Sequence, residues 1–498
     1  MRTHSTRRFR LAGTAAALAA TLASCDSGTP PQYTIDPAAL ALELQEAIEQ
    51  FECGYSTFAW VALGHEDVLE SWAGVAISAA VYRASAVGGE CDTSEVSQAW
   101  FDQFMGARAS LSNADGTGLY DLMRAEPPQA EIERLSAIAA IYMAASLAHF
   151  GEFFCETTFD GGDLLAPDDV LAMAEEWLTD RALVHIDAHG DFALPGGISS
   201  SARTLALALR ARVRWTRGNL TGAADDAEDV PQGFTAWITR DDGATRRNRV
   251  YTSAQTIVYS ILQRSNDWWS GSPNPATGAA WPSPIPFTGY WFLGIATDGR
   301  AVDDQGHPVR WAEEMRDAQE QPIPLLGGAV ADARVPHGPR TLAGPGPYEV
   351  PEPYADEPDD IPFVSWREMW LIRAEAAGGQ GAIDRVNELR TATGLPEVGY
   401  ISGAAATAEQ IRYMVIEERR RELYGEGGRY WATKLRNLDL LWFPRGEGQT
   451  TRQGYFLQGG VRLAMPDSVY ETNAHLVAVG GLAARGTGCD PVESPVFP

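Results

Sequence analysis

Apolar residues recur at helical spacing through most of the first half of the chain. In residues 37–51 they are interspersed with Glu and Gln three and four positions apart, as in an amphipathic helix. Residues 132–150 are apolar almost all round, which predicts a buried helix. Pro167 and the two aspartates after it mark another helix start, continuing over 170–178, because carboxylates suit the positive end of a helix dipole. The pattern predicts a mainly α-helical protein.

Two later segments each predict a helix, a tight turn and a second helix. The first pair begins over 201–215, turns at 217–220 and returns with small alanines. The second begins over 366–377, turns at 378–381 and returns over 383–390. Such pairs resemble tetratricopeptide units, in which small residues permit close packing. Because a long interval separates the two pairs, they predict a scaffold that carries inserted material and not a regular solenoid.

Residues 232–362 are rich in Gly, Pro, Trp and acidic residues, and 344–360 alone holds five prolines and six acidic groups. This composition predicts an irregular region, where aromatic side chains are more exposed than on helices. A sugar ring can lie on an indole face while the indole N–H reaches a hydroxyl. Burial in a core or strand is the alternative, and Trp366 and Trp370, at helical spacing, are predicted core residues. The candidate ligand-binding residues are Trp268, Trp269, Trp281, Tyr290 and Trp291, with Trp60 and Trp72 nearer the N-terminus.

The N-terminus has the layout of a signal peptide. Four arginines within the first ten residues precede a short apolar stretch, residues 11–22, that cannot span a bilayer. The next residues, Leu22-Ala23-Ser24-Cys25, resemble the bacterial lipobox, whose Cys is acylated and begins the mature chain. Two or more acyl chains anchor a protein stably. We expect residues 1–24 to be the signal and 25–36 a flexible tether; a plain secretory signal with an incidental Cys is the alternative.

Charge narrows the choice of partners. The 498-residue chain has 66 acidic and 39 basic residues, for a net charge of −27, and 45% of its residues are hydrophobic. That composition is typical of a folded globular protein. The charge disfavours binding to nucleic acid and to anionic lipid headgroups, so we expect membrane attachment through the lipid anchor alone.

Four cysteines remain beside Cys25, and an even number in an exported protein predicts two disulfides. Three connectivities are possible. We favour Cys53 with Cys91 and Cys155 with Cys489, because the first closes a short loop and the second ties down the C-terminal tail. A metal site is the alternative, but these cysteines lack CxxC spacing, so no metal or other cofactor is expected.

The C-terminal third carries four motifs in order. An aromatic-rich segment from Phe363 ends in Arg373-Ala374-Glu375-Ala376. The others are Asn387-Glu388-Leu389-Arg390 before Gly394-Leu395-Pro396; Glu418-Arg419-Arg420-Arg421-Glu422-Leu423 through Glu426-Gly427 and Arg429 to Leu435-Arg436; and Arg462 with Pro466 and Glu471-Thr472-Asn473. Together they resemble the SusD/RagB family, although Leu463-Ala464-Met465-Pro466 replaces the usual Leu-Pro-Ile-Pro.

The resemblance implies a surface-exposed outer-membrane lipoprotein that acts as the lid of a SusC-like TonB-dependent transporter. Such a protein captures a nutrient, typically an oligosaccharide, and delivers it without chemistry on the ligand. It also implies a SusD-like domain over 37–498. Its parts would be helical scaffold segments 37–231 and 363–436, the irregular insertion 232–362 and a tail, 437–498.

Catalytic alternatives have weaker support. The Glu418 to Glu426 cluster offers paired carboxylates, but Glu418 with Arg421 and Glu422, and Arg429 in the next turn, indicate a structural ion network. Gly64-His65-Glu66-Asp67 lacks the second His of a zinc motif, and no catalytic residues are assigned. A polysaccharide hydrolase would need two carboxylates in an aromatic cleft, and the pair Asp298 and Asp303 keeps that alternative open. A purely structural assembly module is a third possibility.

Overall fold

Helices make up most of the computed structural model. It describes residues 36–66, 69–71, 99–243, 246–256, 259–261, 334, 336–341, 347–395, 397, 407–438 and 462–484. The helices of the first half are α1 Pro37–His65, α2 Ala99–Leu111, α3 Leu119–Ala125, α4 Ala130–Phe153, α5 Pro167–Glu176, α6 Leu183–His189, α7 Ala202–Thr216, α8 Leu220–Glu228 and α9 Arg249–Thr256. Those of the second half are α10 Trp366–Ala377, α11 Gly379–Ala392, α12 Ala408–Glu422, α13 Arg429–Arg436, α14 Asp467–Thr472 and α15 Ala474–Val479.

Helix α4 lies at the centre of the N-terminal helices. It packs against α1, α2, α5 and α6, and it is buried without interruption from Leu135 to Phe153. Within the part of the chain that the structure describes, α4 alone is long and apolar enough to cross a bilayer, with a mean hydropathy of 1.2. Its apolar stretch, however, is entirely buried inside the protein. The sequence prediction of a buried helix is confirmed.

Both predicted helix pairs form, and they stack on each other. Ser201 caps α7 by accepting the Thr204 backbone N–H, and Asn219 caps α8 in the same way. Buried Ala223 and Ala227 keep the second helix of the first pair close to its neighbours. Helix α8 then packs against α10, which pairs with α11. The tetratricopeptide-like arrangement is therefore a continuous scaffold in space despite the long interval in sequence.

The helix predicted from Pro167 is confirmed, and it contains an irregularity. Pro167 occupies the first turn of α5, where a missing N–H costs nothing. A π-helical turn, Trp177–Ala182, then joins α5 to α6. The Arg181 guanidinium lies 4.5 Å from the centre of the Trp177 ring, a cation–π contact that covers the turn.

Short strands supplement the helices. The described residues contain three two-stranded antiparallel sheets. They pair β1 Leu69–Ser71 with β3 Tyr259–Ile261, β2 Thr235–Ile238 with β6 Ile361–Ser365, and β4 His337–Thr341 with β5 Pro347–Pro351. The β2–β6 pair leads from the first helix pair to the second. There the Trp366 backbone N–H donates to the Phe234 carbonyl at 2.8 Å, fixing the start of α10.

Two of the cysteines lie in described parts of the core. Cys53 and Cys155 are 9% and 2% exposed, and each is disulfide-bonded. Their predicted partners, Cys91 and Cys489, lie outside the described residues, as does Cys25. The connectivity therefore stays a prediction.

Candidate functional site

Most of the predicted ligand-binding aromatics lie outside the described residues: Trp72, Trp268, Trp269, Trp281, Tyr290 and Trp291. Trp60 is described, and at 4% exposed it belongs to the buried face of α1. A side chain so enclosed offers no face to a ligand, so this structure places Trp60 in the core. Trp366 is 9% exposed and makes an edge contact with Trp370 at 5.4 Å, as expected for neighbours on a packed helix.

The densest polar constellation among the described residues is a buried ion network between the two helix pairs. Its centre is Glu368 on α10, which is 1% exposed. Arg212 on α7 donates to both oxygens of Glu368, with Nε at 2.9 Å from Oε1 and Nη2 at 2.5 Å from Oε2. Nη2 also donates to the Phe363 carbonyl at 2.6 Å. This bidentate pair connects residues 156 positions apart in the chain.

A second bidentate pair extends the network into α4. Arg429 at the start of α13 donates to Glu152 through Nη1 at 3.1 Å and Nη2 at 2.8 Å, and it lies 3.9 Å from Glu368. Burial would raise the pKa of Glu368, but Arg212 and Arg429 outweigh it and lower the pKa. Burial likewise opposes the charge of Arg429, yet Glu152 and Glu368 raise its pKa. These groups remain charged because each faces an opposite charge.

Trp215 on α7 lies between two guanidinium groups. Arg419 lies 4.0 Å from the centre of the Trp215 ring and Arg436 lies 5.2 Å away. The indole Nε1 donates to Glu375 at 2.6 Å, and Arg436 donates to the same carboxylate at 3.1 Å. Burial lowers the pKa of Arg419 to about 10, which still leaves it charged at neutral pH. The arrangement connects α7, α10, α12 and α13 through one fully buried ring.

The Glu418 to Glu426 cluster is an ion network, as the sequence predicts, and arginines from other elements take part in it. Glu418 accepts from Arg390 of α11 and from Arg334, both at 2.8 Å. Arg334 also donates to Glu422 at 3.0 Å. Arg367 of α10 pairs with Glu426. The cluster thus connects α12 to α10 and α11 and, through Arg334, to the C-terminal end of the insertion.

A glycine-rich turn joins α12 to α13 inside this network. Gly425, Gly427 and Gly428 all have φ between +74° and +82°, where side chains are disfavoured. Tyr55 of α1 donates to the Glu426 carbonyl at 3.2 Å. A Cβ at Gly427 would lie 2.3 Å from the Tyr55 hydroxyl oxygen. The turn therefore needs glycine both for its backbone and for the approach of α1.

Glu66 holds the other side of this turn. Its carboxylate, 2% exposed at the end of α1, accepts the backbone N–H groups of Tyr430 and Trp431 at 2.9 and 3.4 Å. It therefore caps α13 from a position 364 residues away in the chain. Burial raises the pKa of Glu66 to about 7, although these N–H donors oppose the rise.

This raised pKa predicts a pH-dependent cost to stability. A carboxyl group whose pKa is higher in the folded state favours folding below its unfolded pKa, near 4.5, and this contribution disappears as the pH rises through about 7. Glu66→Gln mimics the protonated form at every pH. We therefore expect the difference in unfolding free energy, variant minus wild type, to increase by about 3 kcal/mol from pH 5 to pH 8. Denaturant titrations across this range measure it.

The matched control is Glu43→Gln, which changes an exposed carboxylate on the same helix. Its unfolding free energy should follow the wild-type pH profile. Parallel profiles for Glu66→Gln and wild type would show that the Glu66 carboxyl does not change its pKa on folding.

The chemistry of this constellation is structural. Glu152, Glu368, Glu418 and Glu422 are at most 3% exposed and are paired with arginines, so a substrate cannot reach them. The described residues contain no group of three His, Cys, Asp or Glu side chains placed to hold a metal ion. Asp298 and Asp303, the pair that a hydrolase would need, lie outside the described residues.

Sequence reasoning missed the partners that complete the network. Glu66, Glu152 and Arg212 belong to none of the four C-terminal motifs, and all three lie in the N-terminal half of the chain. The available signal was a charged residue on a helix face that the apolar pattern predicts to be buried, as for Glu152 at the end of α4. Such a residue must have a partner, but the sequence does not say which one.

A family model describes the segment that contains the centre of this network. Residues 365–434, from the N-cap of α10 into α13, match the model of the SusD family. This segment of the chain is similar to the SusD family. The matched residues include Glu368, Glu418 and Arg429, so the family segment is the part of the chain that connects the helix pairs.

Solved structures of family members share the fold of this chain. A SusD superfamily protein from Bacteroides fragilis superimposes with a TM-score of 0.51 at 11% identity, covering 87% of this chain and 97% of that one. A SusD-like carbohydrate binding protein from Bacteroides vulgatus superimposes with a TM-score of 0.50 at 12% identity, covering 83% and 87%. At this identity the likeness shows the mainly α-helical SusD-like fold and no more. A search of curated proteins gives no match.

Proposed function

We propose that this protein is a cell-surface binding lipoprotein that captures a glycan and presents it to an outer-membrane transporter. One observation carries the proposal: the SusD family segment, 365–434, forms the buried connection between helix pairs in a chain that shares its fold with a SusD-like carbohydrate binding protein. The buried, ion-paired carboxylates of that segment favour a structural scaffold for binding over catalysis.

The aromatic residues of the insertion supply the binding chemistry in this proposal. Trp268 and Trp269 are adjacent in a stretch rich in Pro and Gly, followed by Trp281, Tyr290 and Trp291. Indole faces match the apolar C–H face of a sugar ring, and rigid aromatic side chains are frequent energetic centres of interfaces. Neutral sugars suit a chain of net charge −27 better than polyanions do.

Replacing both tryptophans tests this assignment. We expect the double variant Trp268→Ala and Trp269→Ala to bind its oligosaccharide at least about 10-fold more weakly than wild type, because two stacking faces are lost. Calorimetric titration with the best ligand from a panel of neutral oligosaccharides measures the change.

Trp370→Ala is the matched control, because Trp370 lies on the helical scaffold between Trp366 and Arg373. It should leave the affinity unchanged. Equal affinities for the double variant and wild type would remove Trp268 and Trp269 from the binding site while leaving glycan binding itself in place.

The lipid anchor at Cys25 explains how the protein stays at the membrane despite its negative charge. We expect wild type to incorporate labelled palmitate and to sediment with outer membranes. Cys25→Ala should abolish both, because the thiol is the acyl acceptor. Ser24→Ala keeps a small residue before the Cys and should be labelled as wild type is. Membrane sedimentation of Cys25→Ala at the wild-type level would contradict an anchor at this position.

A SusC-like TonB-dependent transporter is the proposed partner. In this mechanism the protein closes over the barrel as a lid, and its motion hands the captured glycan inward. Purification of the protein from detergent extracts of the same outer membranes provides the test. If the lid binds stably, the transporter should co-purify with it. Exposure to the cell exterior follows from the lid position and is read by antibody binding to intact cells.

A further inference from the structure

The N-terminal helices and β2 enclose a second buried polar cluster. Its centre is Glu52 of α1, which is 1% exposed. Both Glu52 oxygens are already occupied: Oε1 accepts the Thr239 backbone N–H at 3.1 Å, and Oε2 accepts the Thr239 hydroxyl at 2.9 Å. Oε2 also accepts Nη2 of Arg240 at 3.3 Å and Nη2 of Arg246 at 3.2 Å.

Arg240 is left with unused donors inside this cluster. Its side chain is 1% exposed, yet Nε and Nη1 have no hydrogen-bond partner among the residues that the structure describes. Asp360 does not supply one, because its carboxylate accepts the Arg240 backbone N–H at 2.6 Å. Buried guanidinium groups without partners for two of their nitrogens are rare, because each unmet donor loses its hydration without replacement.

Tyr142 of α4, on which the charges of Glu52, Arg240 and Arg246 act, also has a polar atom without a hydrogen-bond partner among the residues described. It is 1% exposed, and its hydroxyl has no hydrogen-bond partner within the described ranges. Its ring lies 5.4 Å from that of Phe51, the residue before Glu52. Burial raises the pKa of this phenol, and the charges that act on it are those of Glu52, Arg246 and Arg240. The hydroxyl therefore remains protonated and can donate.

A buried water normally bridges donors and acceptors, whereas the groups without partners here are all donors. They are Nε and Nη1 of Arg240 and the Tyr142 hydroxyl, and the Glu52 carboxylate already accepts from Thr239 and two guanidinium groups. A water would need acceptors for its own two hydrogens. A guest that accepts only and carries negative charge satisfies the donors. It also gives Arg240 a counter-charge of its own, because Arg240 shares the Glu52 carboxylate with Arg246, which pairs with Asp241 as well.

We propose that Arg240 and Tyr142 form a buried site for a small inorganic anion of halide size. The ion would sit where α1, α4 and the end of β2 meet. It would stabilise the junction between the N-terminal helices and the strand that leads to the second helix pair.

Crystals of the purified protein grown in sodium bromide test the site without any substitution. We expect an anomalous difference peak in contact with Arg240 and Tyr142. In solution, the melting temperature should rise saturably by about 2 °C or more in sodium chloride or bromide relative to sodium gluconate at equal ionic strength. Tyr142→Phe should weaken this halide response, while Tyr251→Phe, on the half-buried face of α9, should retain it.

An ordered water without anomalous signal at this position would overturn the proposal. So would equal melting temperatures in halide and gluconate. Because both measurements use the wild-type protein, failure of a variant to fold leaves the conclusion intact.

Discussion

Gly427→Ala is expected to lower the free energy of unfolding by about 3–5 kcal/mol. Two costs add. The backbone at Gly427 has φ +74°, which a residue with a Cβ adopts at a cost of about 1–2 kcal/mol. The new Cβ would also lie 2.3 Å from the hydroxyl oxygen and 2.5 Å from Cζ of Tyr55, whose ring packs edge-on against Phe363 at 5.3 Å. Relieving that clash requires a ring to move within a packed core.

Gly233→Ala separates the two costs. Gly233 has φ +87°, but a Cβ there would meet no atom within 4 Å. We therefore expect Gly233→Ala to lose only the backbone contribution, about 1–2 kcal/mol. Chemical denaturation of both variants gives the comparison, and equal losses would show that α1 does not approach the turn as closely as the structure has it.

Arg212→Met is expected to cost about 3–5 kcal/mol, because it leaves Glu368 buried with its main partner removed. The Phe363 carbonyl loses a donor in the same substitution. Methionine keeps much of the volume, so the loss measures charge and hydrogen bonding more than packing. Urea unfolding followed by circular dichroism measures it.

Two further variants make this result specific. Arg203→Met removes a similar ion pair at the surface, where Arg203 and Asp187 are 40% and 66% exposed, and should change stability by less than about 1 kcal/mol. Combining Arg212→Met with Glu368→Met should recover part of the loss, because no unpaired carboxylate then remains. If Arg212→Met were no more harmful than Arg203→Met, the buried network would not be what connects the helix pairs.

The helical scaffold was predictable because its information is local. Apolar periodicity, the proline at the start of α5 and the turns between paired helices each act within a few residues. The predicted helices over 201–215, 366–377 and 383–390 agree with the observed bounds. The short strands were not predicted, because β2 and β6 pair across more than 100 residues.

The ion network was predictable in kind but not in its partners. Spacing along α12 predicts pairs within that helix, as between Glu418 and Arg421, and the structure adds Arg334 and Arg390 from other elements. These added partners have a physical reason. Glu418 faces the interior, where neighbouring elements supply the guanidinium groups of Arg334 and Arg390. The prediction for Trp60 failed for a similar reason. The sequence does not reveal whether the helix face that carries an aromatic residue points to the solvent or to the core.

Titration of the purified protein with neutral oligosaccharides, followed by chromatography of the recovered ligand, tests the central claim most directly. A binding protein predicts saturable heat and recovery of the glycan at its original length after long incubation. Cleavage products that accumulate in molar excess over the protein would contradict this account and establish a hydrolase, and the absence of any saturable binding would point instead to a structural assembly module.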